Sequence, residues 1–260
     1  MTPAVAVACP RIVALPGVYQ PISDSILLMD AFAAGGPARP SSVLDLCCGS
    51  GVQGISAALR GHRVTAVDVE PLAIENVATN ADANDVEVEA LQGSLFEPVE
   101  GRRFDAILAN PPYVPTPDDE SIGHHVYSDG GRDGRLLIDQ ICSQASSMLV
   151  PGGSLWMVHS SLASIEMSVA QLEDAGLVVD EVASMLEPLG PICTERQAYL
   201  REKGYLEPDA THERLAVLRA SRPHLRSAAA TGNSARNALY GRADKLREFG
   251  TLRLGRARPR

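Results

Sequence analysis

Along residues 42–220, short apolar runs alternate with longer segments whose apolar residues recur every three or four positions. Those are the two patterns of buried strands and amphipathic helices. SVLDL (42–46), RVTAVDV (63–69), VEVEAL (86–91), FDAILAN (104–110), GSLWMVH (153–159), LVVDEVASM (177–185) and HERLAVLRA (212–220) read as seven strands. Between them, GVQGISAALRG places Val52, Ile55 and Leu59 on one helical face and stops at Gly61. Pro71 suits the first turn of a helix running to about Asn84. Residues 136–149 align Leu137, Ile141, Ala145 and Met148, and 161–176 form a further helix. Upstream, Ser23 reads as the cap of a helix with Ile26, Leu27, Asp30 and Ala31 at helical spacing, stopped by Gly35 and Gly36. Strands separated by helices of this length predict an α/β fold with a doubly wound, mostly parallel sheet.

The connection at about 187–211 is far longer than a hairpin turn. Its TERQAYLREKG reads as a helix capped by Thr194 and stopped by Gly204, so the insert is an ordered element, either a lid or surface decoration. The expected organisation is one domain over residues 1–221 and a basic appendage over 222–260.

Composition narrows the class. With 260 residues and 45% apolar content the chain can bury a full core. It has no run of 18 apolar residues and its opening lacks a basic n-region, so neither a membrane span nor a signal peptide is predicted and a cytoplasmic location is expected. Five scattered cysteines without CxxC spacing predict reduced thiols and no structural zinc. The net charge of −9 is uneven: residues 222–260 carry nine Arg and one Lys against Asp244 and Glu248, or +8, which leaves −17 on residues 1–221. An acidic body is a poor match to nucleic acid, which rewards clustered Lys and Arg. No Gly-Lys-Ser/Thr phosphate loop or Ser/His/Asp order is present, and His124, His125 and the acidic turn Asp118–Glu120 read as solvated loop.

Three motifs fall where strands end, which in such sheets is where ligands bind. After strand one, DLCCGSGVQG offers Gly49, Gly51 and Gly54 in the G-x-G-x-x-G spacing of a dinucleotide loop. Asp45, four residues before Gly49, would oppose a pyrophosphate but suits a cationic amino group. Asp68, ending strand two, can accept both hydroxyls of a ribose. Together they suit a nucleoside carrying an ammonium group. After strand four comes Asn110-Pro111-Pro112-Tyr113, where two prolines stiffen the turn and hold the preceding residue extended. The Asn110 side-chain carbonyl and the Pro111 backbone carbonyl can take the two hydrogens of a planar NH2 group, and Tyr113 offers a stacking face. This is positioning and needs no strong base.

LDLCCGSG, AVDVEP, ILANPPYVP and the upstream GVYQPISDSILLMDA resemble the class I S-adenosylmethionine-dependent methyltransferases, specifically the short archaeal and eukaryotic branch of the release-factor glutamine N5-methyltransferases. DGGRDGRLLID resembles that branch's Gly-Gly-x-x-Gly helix start. The resemblance covers about residues 11–186 and 212–220. It implies a Rossmann-like sheet of seven strands with the last antiparallel, and S-adenosylmethionine as cofactor with S-adenosylhomocysteine as product. It makes Asp45, Cys47, Gly49 and Gly51 the methionine-side loop, Asp68 with Val69 the ribose site, and Ser94 with Leu95 the adenine site. Tyr19, Asp24 and Ser25 would close over the cofactor, and Asn110, Pro111 and Tyr113 would hold the acceptor, whose nitrogen attacks the sulfonium methyl in line. Cys47 stands where the first loop glycine is commonest, and Ser94 where an acid often meets the adenine amino group. The implied acceptor is a protein glutamine of release-factor type. The other readings are an N-methyltransferase of a small metabolite, a nicotinamide oxidoreductase using the glycine loop and Asp68, and a non-enzymatic binding module.

Overall fold

The computed structural model describes residues 9–117 and 126–224. Its seven-stranded sheet has the order β3-β2-β1-β4-β5-β7-β6. The strands are β1 (Ser42–Leu46), β2 (Arg63–Asp68), β3 (Val88–Gln92), β4 (Phe104–Ala109), β5 (Leu149–Ser160), β6 (Val178–Pro188) and β7 (His212–Ser221). The first five pair in parallel, and β7 lies antiparallel between β5 and β6. The helices are α1 (Ser23–Gly35), α2 (Val52–Ala58), α3 (Pro71–Ala83), α4 (Ile138–Met148), α5 (Ile165–Asp174), α6 (Pro191–Glu195) and α7 (Gln197–Glu202). The order reverses at β1/β4, the switch point of a doubly wound sheet.

Strand alternation divides the core into two faces. Leu44, Leu46, Leu155, Met157, Ala216 and Leu218 join the buried side of α4 and α5. Val43, Ala106, Leu108, Trp156, Val158 and Val217 meet Leu28 and Phe32 of α1. Both layers bury strands on two faces, which is why these strands read as nearly continuous apolar runs.

Three local expectations are corrected. Ile22, in an extended conformation, occupies the N-cap of α1, while Ser23 lies inside the helix with an unpartnered Oγ. The face turned inward carries Asp24, Ser25, Leu28 and Phe32, whereas Ile26 is 52% exposed. The first turn of α1 borders the cavity described below, and there its inward residues are Asp24 and Ser25. Residues 161–163 form a 3-10 turn, and Ser164, at φ 52°, caps α5 by accepting from Met167 N. In the insert, Pro191 starts α6 three residues before Thr194, whose hydroxyl donates to Leu189 O, and the chain breaks at Arg196 before α7. Gly204, at φ 76°, ends that pair of helices.

Residues 11–15 form a strap along α3, held by an asparagine ladder. Leu15 N, Val13 N and Arg11 N donate to Oδ1 of Asn76, Asn80 and Asn84 at 2.9, 3.0 and 2.8 Å. The amide nitrogens donate back, Asn76 and Asn80 to Val13 O and Asn84 to Arg11 O. The match is geometric: four helical residues rise about 6 Å and two extended residues about 6.6 Å. Asn80 also donates to Ser50 O, tying the strap to the glycine loop. Arg222 still pairs with Gly152 and Gly153. The rest of the basic appendage, 225–260, and the solvated-loop residues 118–125 lie outside the described residues.

Replacing Asn80 by Ala leaves Val13 N and Ser50 O without their partner inside the protein. We expect a loss of about 1–3 kcal/mol in urea unfolding at unchanged m-value; a change within about 0.3 kcal/mol would show that the ladder does not hold the strap.

Candidate active site

A cavity of about 710 Å³ opens beyond the carboxyl ends of β1, β2 and β4, floored by the glycine loop and roofed by the residues between the strap and α1. It is of the size that takes a small molecule or cofactor.

At the β1 end the chain turns through positive φ at Cys47 (54°), Gly49 (51°) and Gly51 (80°). A left-handed position explains why glycine is favoured where Cys47 stands, and Cys47 holds it at some strain. A Cβ added at Gly49 would meet nothing within 4 Å, so the loop backbone faces open space. Burial and the nearby Asp68 and Asp45 push the Cys47 thiol upward, which keeps it protonated. Asp68 braces the loop: its Oδ2 accepts from Gly49 N at 2.9 Å and its Oδ1 from Glu70 N at 3.0 Å. Burial raises its pKa and those N–H groups oppose the rise. Each oxygen retains a lone pair for a ligand hydroxyl.

Asp45 and Gly51 stand outside the cavity lining. By strand alternation Asp45 shares the α2 side with Val43; its Oδ2 accepts from Gly54 N at 2.8 Å and burial lifts its pKa to about 8. An added Cβ on Gly51 would meet Val77 at 3.0 Å, so this glycine serves the packing of α2 on α3. The other residues that the resemblance assigns to the site line the cavity: Tyr19, Asp24, Ser25, Cys47, Gly49, Asp68, Val69, Ser94, Leu95, Asn110, Pro111 and Tyr113.

The structure joins two groups that the sequence keeps far apart. Asp24, 2% exposed, accepts from Tyr19 OH at 2.9 Å and from Tyr113 OH at 3.0 Å. Burial, reinforced by the Asp24 charge, holds both phenols protonated. Ser25 Oγ donates to Asp24 Oδ1 and accepts from Asn110 Nδ2 at 3.3 Å, while Gln53 Nε2 fixes Ser25 O. With its amide nitrogen so engaged, Asn110 has Oδ1 left as an acceptor. Tyr19, Asp24 and Ser25 thus orient the corner after β4 as well as walling the cavity.

That corner is braced from behind. Residues 114–116 pair with 128–131 through Val114 N to Ser128 O, Gly130 N to Val114 O and Thr116 N to Gly131 O. Gly134, at φ 78°, lies so close that an added Cβ would fall 2.3 Å from Tyr113 O. Arg135, 2% exposed, pins the segment to α5 through Ser164 O, Ser168 Oγ and Gln171 Oε1. The insert contributes a wall: Pro191, Ile192 and Cys193 line the cavity, and Arg196 Nη1 donates to Thr116 Oγ1 at 2.9 Å. Sequence reasoning missed Gln53, Arg135 and Glu213; Gln53 and Glu213 also line the cavity, and Glu213 stands two residues before the apolar run of β7.

A family model described as the methyltransferase small domain matches residues 11–175. The chain belongs to the methyltransferase small domain family. Among its relatives, a putative protein N5-glutamine methyltransferase of Methanocaldococcus jannaschii is 34% identical over 176 residues, 66% of this chain and 87% of that protein. A release factor glutamine methyltransferase of Geobacter sulfurreducens is 33% identical over 170 residues, 62% of this chain and 57% of the relative. Among solved structures, the E. cuniculi Mtq2-Trm112 complex responsible for methylation of the eRF1 translation termination factor matches with a TM-score of 0.56 at 21% identity, over 80% of this chain and 99% of that one. A T. thermophilus 16S rRNA methyltransferase in complex with AdoMet and guanosine matches at 0.52 and 23%, over 80% and 46%. These structures carry the fold, and the antiparallel β7 of this methyltransferase agrees with it. Family membership sets aside the nicotinamide oxidoreductase reading. Among the described residues no helix of the methyltransferase is long and apolar enough to cross a membrane.

In Gly134→Ala the new Cβ must displace the Tyr113 carbonyl. We expect turnover to fall by roughly two orders of magnitude, the effect of an ångström-scale misplacement, with the glycine-loop end of the cavity unaltered. Unchanged turnover would show that the corner tolerates movement.

Proposed function

We propose that this methyltransferase uses S-adenosylmethionine to methylate the side-chain amide nitrogen of a protein glutamine, with the Gly-Gly-Gln loop of a release factor as its type acceptor. The observation that carries the reading is the corner at Asn110 and Pro111. Asn110 is clamped through Ser25 so that Oδ1 remains an acceptor, and Pro111, without an N–H, follows it in a turn braced by Gly134. Two oxygens a residue apart on a stiff turn match the two hydrogens of a planar NH2 group. The similarity to glutamine methyltransferases points the same way.

The cavity suits the nucleoside cofactor. Asp68 offers two oxygens to ribose hydroxyls, Ser94 and Leu95 border the adenine end, and the open face of Gly49 admits the methionine portion. Asp45 acts from behind, holding the start of α2 through Gly54. When bound, S-adenosylmethionine supplies an electrophilic methyl group on a sulfonium. The protein fixes the acceptor nitrogen: the phenols of Tyr19 and Tyr113 stay neutral at Asp24, and Pro191, Ile192 and Cys193 of the insert wall the acceptor side. The −17 charge of residues 1–221 favours a protein acceptor over nucleic acid. A cytoplasmic location belongs to the same reading, since all five cysteines are free thiols.

Incubation with labelled cofactor and a purified release factor, followed by mass spectrometry, should place one methyl group on the glutamine of the Gly-Gly-Gln loop. Label found only in a metabolite extract would replace the protein acceptor by a small molecule. Asn110→Ala should abolish transfer while S-adenosylhomocysteine affinity, measured by calorimetry, stays within a few-fold; equal loss of both would refute the division of roles.

A further inference from the structure

Glu213 is the second residue of β7. Positions 213, 215 and 217 share one side of the strand, and Leu215 and Val217 are buried, so a carboxyl group occupies an inward position where an apolar side chain is expected. The residue is 6% exposed and lines the acceptor side of the cavity with Tyr113 and Cys193. Its Oε1 faces the Cys193 thiol at 3.8 Å. Its Oε2 is buried and has no hydrogen-bond partner, although the Ser160 hydroxyl beside it favours the ionised form. A buried carboxyl oxygen left unmet within the protein is a group that awaits a ligand.

Of the donors around it, the Ser160 hydroxyl accepts from Leu162 N and favours the ionised form of Glu213, and the others are committed. Both phenols and the Ser25 hydroxyl donate to Asp24, and the Cys193 thiol points to Glu213 itself. A glutamine amide whose hydrogens go to Asn110 and Pro111 still presents a carbonyl oxygen that needs a donor. We propose that Glu213, as a neutral carboxyl, donates from Oε2 to the carbonyl oxygen of the acceptor amide and thereby selects carboxamides over amines. This rests on the reading that the acceptor is a carboxamide. An amine has no such oxygen and would leave Oε2 buried and unmatched. Burial, and the carboxylates of Asp24 on α1 and Glu187 on β6, raise the Glu213 pKa. The other titratable groups around it, Cys193, Tyr19 and Tyr113, are themselves held protonated. A raised pKa keeps the donor form present at low pH and removes it as pH rises through that value.

The test uses the full chain, S-adenosylmethionine and a purified release factor. Glu213→Gln keeps an N–H donor in place and should retain kcat/KM within a few-fold, whereas Glu213→Ala should lose at least tenfold. The wild-type kcat/KM should fall as pH is raised through the Glu213 pKa, and Glu213→Gln should lack that limb. Calorimetry with S-adenosylhomocysteine should give all three proteins similar affinity. Wild-type kcat/KM in Glu213→Ala, the same alkaline limb in Glu213→Gln, or loss of cofactor affinity in parallel with turnover would each overturn the proposal. Failure of the wild type itself to modify the release factor would overturn the glutamine reading, and this inference with it.

Discussion

One buried carboxylate organises the Asn110 side of the cavity in this methyltransferase. Asp24 sits in the first turn of α1 at 2% exposure and gathers two phenols and a serine from segments up to 89 residues apart. A buried carboxylate is strongly unfavourable unless its lone pairs are filled. Filling them requires Tyr19, Tyr113 and Ser25 to be in place together, so the strap, α1 and the corner after β4 can only be correct as a set. The asparagine ladder fixes one end of that set and Gly134 with Arg135 fixes the other. The corner at Asn110 is therefore rigid through tertiary contacts as well as through its two prolines.

The glycine-loop side is built on the opposite logic, from local backbone geometry. Positive φ at Cys47, Gly49 and Gly51 turns the loop, and Asp68 stitches it to the end of β2. Few side chains are involved. Positioning chemistry of this kind calls for aimed oxygens rather than a strong base, which agrees with the upward-shifted phenols and thiols around the cavity.

Features governed by local rules were legible in the sequence. β1 and β4 follow from apolar runs, α3 begins at Pro71, and the site lies at strand ends because the sheet is doubly wound. What escaped depends on partners distant in the chain. The first turn of α1 carries Asp24 and Ser25 inward because a cavity lies beside it, which no helical periodicity reveals. Asp45 turns to α2 because alternation places it with Val43, so it stands outside the cavity lining. Thr194 is not a cap because Pro191 starts the helix earlier. Glu213 left a readable trace, a carboxyl at an inward position of a core strand, but its meaning needed the cavity around it.

In the proposed reaction the Asn110–Pro111 corner presents two oxygens to a flat amide nitrogen opposite the cofactor. A crystal structure of the protein with S-adenosylhomocysteine and a glutamine-containing release-factor peptide measures this directly. The account predicts the amide nitrogen within hydrogen-bond distance of both Asn110 Oδ1 and Pro111 O, on the side facing the cofactor sulfur. An amide bound elsewhere in the cavity, or a sulfur turned away from the corner, would contradict it.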